Sequence, residues 1–530
     1  MSKRTYRNPV IPGFYPDPSI CRVGEDFYLI TSTFEYFPGV PLFHSRDLVH
    51  WRQLGHVLDR PSQLDLDHVE PSDGIFAPTI RHHDGTFYMV TTLRDTPPSL
   101  RGADPGFRDR NFVVTTDEPA GDWSEPTVLV ERPGIIDPSL FFDDDGRAWY
   151  MANERVADPP YADFRQIWLQ ELDLENMALI GKRYELWSGA LYEASCPEAP
   201  HIYKIDGMYY LMVAEGGTYY HHATTIARSA SVTGPYTGNP GNPILTHRHL
   251  GLDYPISNIG HADLVETQNG EWWMVALASR PYGGYYYNLG RETVLAPVRW
   301  ENGWPLVSPG KGRVEFEHEA PDLPETPWPA AADRDDFDTD SLGDEWNFVR
   351  TPRESFWSLT ERQSHLRLQL RSESLSGSGN PSYVCRRQQH INFRGTAAME
   401  FAPASAAECA GLAVQQNRNF NFLFVVAAAV GGPEVQVIRF DSGETTIVGT
   451  APAPGNLHHL TVEAEGQEYS FYYGTTQDRM APVAEKADGR ILSTQLAGGF
   501  TGAYVGLYGS SNGEASDTVV DFDWFDYLGT

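Results

Sequence analysis

Residues Asp137-Pro-Ser-Leu-Phe-Phe-Asp-Asp-Asp-Gly-Arg-Ala-Trp-Tyr-Met-Ala152 read as a strand, a tight turn and a second strand. An acidic head precedes Pro, an apolar run follows, Asp-Gly supplies the turn, and an aromatic pair leads into the next strand. The same form recurs four more times. Its other heads are Asp17-Pro-Ser-Ile20, Ala77-Pro-Thr-Ile80, Glu198-Ala-Pro-His-Ile202 and His261-Ala-Asp-Leu264. The matching second strands are Phe27-Tyr-Leu-Ile30, Phe87-Tyr-Met-Val90, Tyr209-Tyr-Leu-Met212 and Trp272-Trp-Met-Val275. Heads follow one another at steps of 60, 60, 61 and 63 residues, and each precedes its aromatic pair by 10 to 12. A period of about sixty residues holds four strands with their loops, which is one propeller blade. Five such units predict an all-β chain that begins as a five-bladed β-propeller over residues 1–320. Helical periodicity is nearly absent there, which excludes helical solenoids and a (β/α)8 barrel.

The texture changes where Pro321, Pro324, Pro327 and Pro329 fall close together. Residues 321–334 therefore read as a Pro/Ala-rich, semi-rigid linker. Beyond it, Leu366, Leu368 and Leu370 alternate with Arg367 and Gln369, and turn residues abound without the sixty-residue period. Residues 335–530 are expected to form a jelly-roll-like β-sandwich.

Composition narrows the function. A formal net charge of −31 repels phosphate backbones and anionic membranes, so nucleic-acid and membrane partners are not expected. No run of 18 apolar residues exists. The start, Met1-Ser-Lys-Arg-Thr-Tyr-Arg-Asn-Pro9, lacks an apolar signal region, and the four cysteines show no CxxC spacing. The expectation is a cytoplasmic protein with reduced thiols, although a mature secreted form would read the same. Oligomeric state is not legible, and a homo-oligomer stays open. The aromatic share of 12% suits both strand cores and stacking platforms for sugars.

In a propeller the innermost strand of each blade lines the central axis, so repeat heads become neighbours in space. Around the ring these are Asp17, the pair Phe76-Ala77, Asp137, Glu198 and His261. Asp-Pro alone is a common turn element. Three acids at repeat-equivalent places are different, because like charges gathered on one axis oppose ionisation and cost stability. Glycoside hydrolysis needs such a set: one carboxyl kept protonated for the leaving oxygen and one ionised to activate water or attack the sugar. Glu198, with its longer reach and apolar Ala and Pro neighbours, reads as the general acid, and Asp17 as the base. Asp137 would orient the acid and tune its pKa.

These residues, with Asn8-Pro-Val-Ile-Pro-Gly-Phe-Tyr-Pro-Asp-Pro-Ser-Ile20, Thr31-Ser-Thr-Phe-Glu-Tyr-Phe-Pro-Gly-Val-Pro41 and Leu289-Gly-Arg-Glu-Thr-Val-Leu-Ala-Pro297, resemble glycoside hydrolase family 43 over nearly the whole chain. The likeness is to its two-domain β-xylosidase and α-L-arabinofuranosidase members. It implies an inverting mechanism with Asp17 as base, Asp137 as pKa modulator and Glu198 as acid. It further implies that Arg291 contacts the terminal sugar, that Phe34 and Phe76 form pocket wall, and that His261 stands near the channel axis, where some members hold a calcium ion. No cofactor is implied for the chemistry itself. The family's C-terminal module can push an aromatic loop over the pocket, and Gly498-Gly-Phe-Thr-Gly502 is the candidate, with Phe500 at its tip. Two departures fall beside the pocket: Cys196-Pro-Glu-Ala-Pro200 where relatives read Tyr-Pro-Glu-Gly-Pro, and Phe76 where many β-xylosidases carry Trp.

The function expected is an exo-glycoside hydrolase releasing terminal xylose from short xylo-oligosaccharides, the substrate being its expected partner. The alternative is an α-L-arabinofuranosidase acting on arabinoxylan or arabino-xylo-oligosaccharides, or an enzyme with both activities. From another class, a non-catalytic carbohydrate-binding propeller has no need of three converging acids, and a protein-interaction scaffold has still less.

Overall fold

Five antiparallel sheets follow one another along the first three hundred residues, each opening on a repeat head. The computed structural model describes residues 4–100, 106–330 and 332–529. Blade I comprises Ser19–Val23, Asp26–Ile30, Gly39–Ser45 and Arg52–Leu58, and blade II comprises Gly74–His83, Thr86–Asp95, Arg108–Thr116 and Thr127–Glu131. Blade III runs through Ile135–Phe142, Ala148–Glu154, Gln166–Asp173 and Ala178–Trp187. Blade IV contains Glu198–Ile205, Met208–Glu215, Ala223–Ser229 and Thr237–Gly238, with Leu245–Thr246 added to its third strand. Blade V contains Ser257–Glu266, Trp272–Ser279, Glu292–Glu301 and Trp304–Val307. The first strands of the five blades touch one another in cyclic order and close the ring.

Alternation within the second strands explains why blades stack. In Ala148–Glu154, Tyr150 and Ala152 face Tyr88 and Val90 of blade II, whereas Trp149 and Met151 face Leu211 and Val213 of blade IV. One strand thus seals two cores, and the aromatic pair at its head does most of the filling. At Asp84-Gly85 and Asp206-Gly207 both turn residues have positive φ, as a type I′ hairpin turn requires.

The ends of the chain segment are tied together. Thr5–Arg7 pairs with Glu317–Glu319, and the Asn8 side chain both donates to and accepts from the backbone of Leu295. The Pro-rich run then lies along blade I, where Thr326 N donates to Asp47 Oδ2 (2.9 Å) and Trp328 Nε1 to His50 O (3.1 Å). Ala331 of the expected linker is outside the described residues, and Arg334 at its end already pairs with the strand Val519–Gly529.

Residues beyond form a sandwich of two antiparallel sheets. The six-stranded sheet runs, side by side, Ser382–Arg387, Tyr504–Ser510, Cys409–Asn417, Phe420–Ala427, Glu434–Asp441 and Glu444–Pro452. The opposing sheet is centred on Phe393–Glu400 and Val519–Gly529. Leu366, Leu368 and Leu370, the alternators of the sequence, are all buried in the core between the sheets. Helix is confined to Pro98–Leu100, Gly489–Leu492 and Thr494–Ala497 among the described residues, so none is long enough to cross a membrane. The two units interlock. Tyr36–Phe37 of the propeller pairs with Phe348–Val349 of the sandwich, and the Tyr36 and Tyr504 rings stack 3.7 Å apart.

One expectation of position needs correction. Asp17, Ala77, Asp137 and His261 all adopt positive φ, and in blade IV the residue that does so is Ala199, not Glu198. Ladder register agrees, since Glu198 pairs as Phe76 and Ile136 do, each just ahead of the bulge that opens its strand. Glu198 therefore sits one residue before the repeat head. The physical reason is that the bulge turns consecutive side chains of the kinked strand toward the axis, so head and pre-head positions both reach the pocket.

Candidate active site

The axial pocket at the head end is lined by Asp17, Phe34, Phe76, Ala77, Ile136, Asp137, Glu198, Thr218, His261, Arg291 and Phe500. Every residue expected at the site is brought there. Its volume is about 80 Å³, well below the usual range for drug-sized ligands. Larger concavities lie at the far ends of blades IV and V, of about 690 Å³, and between blade V and Arg4–Thr5, of about 890 Å³, but the trio of acids is not there.

Asp17 is buried and fully engaged. Its Oδ1 accepts from Arg291 Nη1 at 2.9 Å and its Oδ2 from the Ser32 hydroxyl at 2.7 Å, and His261 Nδ1 stands 3.6 Å from Oδ1. Ser32 Oγ in turn accepts from Ala77 N (2.7 Å), which ties blade I to blade II beneath the carboxylate. Burial pushes the Asp17 carboxyl up, but the Arg291 charge, His261 and the Ser32 hydroxyl together outweigh it and hold the group below its ordinary value. Burial also lowers the His261 imidazole. His261 is then neutral near pH 7, and the standing positive charge beside Asp17 is Arg291.

Asp137 and Glu198 are pushed the other way. Burial and the nearby Glu198 and Asp17 raise Asp137 well above its usual range, with Arg165 and the Ala199 amide opposing. Its Oδ2 accepts from Ala199 N (3.1 Å) and Asn153 Nδ2 (3.3 Å), so Asp137 grips the backbone next to Glu198. Glu198 keeps an edge open to the pocket, yet packing around its carboxyl pushes it to about 7, Arg165 lowering and Asp17 raising it. The two acids titrate as a pair, because ionising one opposes ionising the other.

Arg291 links all walls of the pocket. Besides Asp17 it reaches Thr218 Oγ1 (3.2 Å) and the Phe500 carbonyl (3.3 Å), and its guanidinium lies 5.4 Å from the Phe34 ring and 5.5 Å from the Phe500 ring. Phe34 and Phe500 stack at 5.8 Å, and Phe76 packs on Phe34 at 5.0 Å. Three phenyl rings thus make an apolar wall opposite the acids.

Calcium takes six to eight oxygen ligands. Near His261 the carboxylate at hand is Asp17, already paired with Arg291. Two residues along the same strand, the Asp263 oxygens are taken by Arg81 (2.8 and 3.2 Å), Ser19 (2.8 Å) and Tyr203 (2.6 Å), while Arg81 also meets His201 (2.9 Å). Such a donor set, with a guanidinium at its centre, does not suit the calcium ion that some family members hold near this histidine.

Sequence reasoning missed Thr218, Ile136, Ser32, Arg165 and Asn153. Ser32 sits within the quoted Thr31-to-Pro41 block but carries no mark of its role. Asn153 lies in the second strand of blade III and Arg165 just ahead of the third, and only folding places them beside the acids.

Fold and site together define a glycoside hydrolase carried on a β-propeller. More particularly, the chain belongs to glycosyl hydrolases family 43, whose family model matches residues 6–305, while residues 334–528 match the beta xylosidase C-terminal Concanavalin A-like domain. A xylosidase/arabinosidase of Butyrivibrio fibrisolvens is 45% identical, with 98% of each chain covered. A non-reducing end alpha-L-arabinofuranosidase of Bacteroides ovatus is 40% identical over 99% of this chain and 95% of that protein. Among solved structures, a xylan beta-1,4-xylosidase from Bacillus halodurans superposes with a TM-score of 0.91 at 37% identity, covering 98% of this chain and 99% of the other.

Proposed function

We propose that this enzyme removes single pentose units from the non-reducing ends of short xylo-oligosaccharides with inversion, acting as a β-1,4-xylosidase. The observation that carries the reading is the opposed state of two acids in one small pocket: Asp17 held ionised against Arg291, and Glu198 held protonated to about neutral pH. In this mechanism Asp17 takes a proton from water as its oxygen attacks the anomeric carbon. Glu198 gives its proton to the departing glycosidic oxygen, and the C–O bond breaks. Asp137 holds the Ala199 amide and with it the acid's approach. The small cavity of about 80 Å³ supports an exo mode, being well below the size usual for larger ligands.

A second reading, α-L-arabinofuranosidase or dual activity, is favoured by Phe76 and by the arabinosidase names of the two relatives above. Parallel assays on aryl β-xyloside and aryl α-L-arabinofuranoside separate the two, with NMR following the anomer first released. Faster xyloside turnover with inversion is expected. A hundredfold preference for the arabinofuranoside would transfer the assignment to the second reading, and retention would refute the roles given to Asp17 and Glu198.

A further inference from the structure

The aromatic tip that roofs the pocket comes from the sandwich, yet the group that holds its backbone comes from the propeller. Gly498 and Gly499 have φ of 72° and 74°, and a Cβ on Gly499 would lie 2.2 Å from Ser72 Oγ. Only glycine lets the loop come this close. At that approach Phe500 N donates to Ser72 Oγ at 2.8 Å. Ser72 is buried and has φ of 66°, and its own N donates to Glu35 Oε2 at 3.0 Å. Its turn is gripped from both sides: Val69 O accepts from Arg350 Nε (3.0 Å) and Nη2 (2.9 Å), and Glu70 Oε2 pairs with Arg418 Nη2 (2.7 Å). On the sandwich side, Gln416 Nε2 donates to Gly498 O and Thr501 O, both at 3.2 Å, which leaves Phe500 as the middle of a suspended span.

We propose that Ser72 is a positioning residue whose hydroxyl latches the Phe500 loop over the terminal-sugar pocket, setting how tightly that sugar is enclosed. The inference rests on the exo-glycosidase reading for its kinetic consequence only. With the latch made, the Phe500 ring stays stacked on Phe34 and its carbonyl stays on Arg291. Without it, one end of the roof loses its anchor while the three acids, which Ser72 does not touch, keep their geometry. Because the roof contacts the sugar in ground state and transition state alike, its loosening raises KM and spares kcat.

The test uses the full chain with Ser72→Ala and Ser72→Gly, the glycine variant removing the hydroxyl without strain at positive φ. Hydrogen exchange of the segment containing Phe500 should quicken by about tenfold in both, and KM for the aryl glycoside should rise by about fivefold with kcat within twofold, a change of the size one lost hydrogen bond gives. Unchanged exchange in both variants overturns the latch whatever the kinetics. Faster exchange with unchanged KM overturns its role in enclosing the sugar. Failure of the unmutated enzyme to turn over either aryl glycoside sinks the exo-glycosidase reading instead, while exchange still decides the latch.

Discussion

Asp137 Oδ2 lies 3.1 Å from the backbone nitrogen of Ala199, the residue that follows Glu198. Asp137 thus reaches the acid through the chain, while the carboxylate whose charge raises Glu198 is Asp17. Blade III holds blade IV at the point where the proton must be delivered, and the Glu198 charge in turn raises Asp137.

Removing the acid tests the proton delivery directly. Glu198→Gln should cut kcat on xylobiose by about 10²–10⁴-fold, the usual share of general-acid catalysis, while an aryl glycoside with a good leaving group suffers far less. Comparable losses on both substrates, measured by initial rates, would remove Glu198 from that role.

The pH profile of the native enzyme follows from the signs of the shifts. Asp17 is held low, so kcat/KM should stay flat on the acid side to below the ordinary value of an aspartate, then fall as Asp17 gains a proton. Glu198 must carry a proton, so the rate should decline as pH rises through about 7. A profile flat from pH 6 to 9 on an oligosaccharide would contradict this.

Replacing Asp137 with Asn keeps an oxygen for the Ala199 amide and removes the coupled charge. The value of kcat should fall, and the alkaline limb should move to lower pH only to the extent that Asp137 shares the ionisation of Glu198. A limb that stays in place while kcat falls would confine Asp137 to orienting the acid.

Arg291→Ala removes the charge that opposes burial at Asp17. The acid limb should then rise toward or beyond the ordinary carboxylate range, and KM should climb with the loss of contacts to Thr218 and Phe500. Thermal melts separate this from unfolding. A raised KM with an unmoved acid limb would show that Ser32 and His261 suffice to hold Asp17.

Glu35, buried beneath Ser72, is pushed to about 7 by burial, two backbone amides and Arg350 opposing. A raised acid favours the fold while protonated, and that benefit is lost as pH rises from its unfolded value near 4.5 through about 7. Glu35→Gln keeps an acceptor for Ser72 N, so its stability relative to native should improve across that window, by on the order of 1 kcal/mol per pH unit at most. Equal slopes of melting temperature against pH would place the shift elsewhere.

Much of the fold was legible because blade formation is local. Aromatic pairs, Asp-Gly turns and a regular period are each visible within sixty residues, and every one marks a strand end or core position in the ring. The position of Glu198 was legible only to within one residue, since period alone cannot see a bulge. Its alignment with Asp17 and Asp137 had to be corrected from φ and ladder register.

What the amino-acid sequence determined by itself is the five-fold repeat, the sandwich that follows, and the identity of the three acids. Periodicity places residues sixty apart on one axis without knowledge of any contact. What only the tertiary structure decided is the state of those acids and the roof above them. Asp17 is low because Arg291, 274 positions away, meets it at 2.9 Å, and Phe500 covers the pocket because Ser72, 428 positions away, accepts its amide. Such pairings obey no period. The first closes the propeller ring and the second joins sandwich to propeller, and both arise where distant elements meet and bury groups that must then find partners.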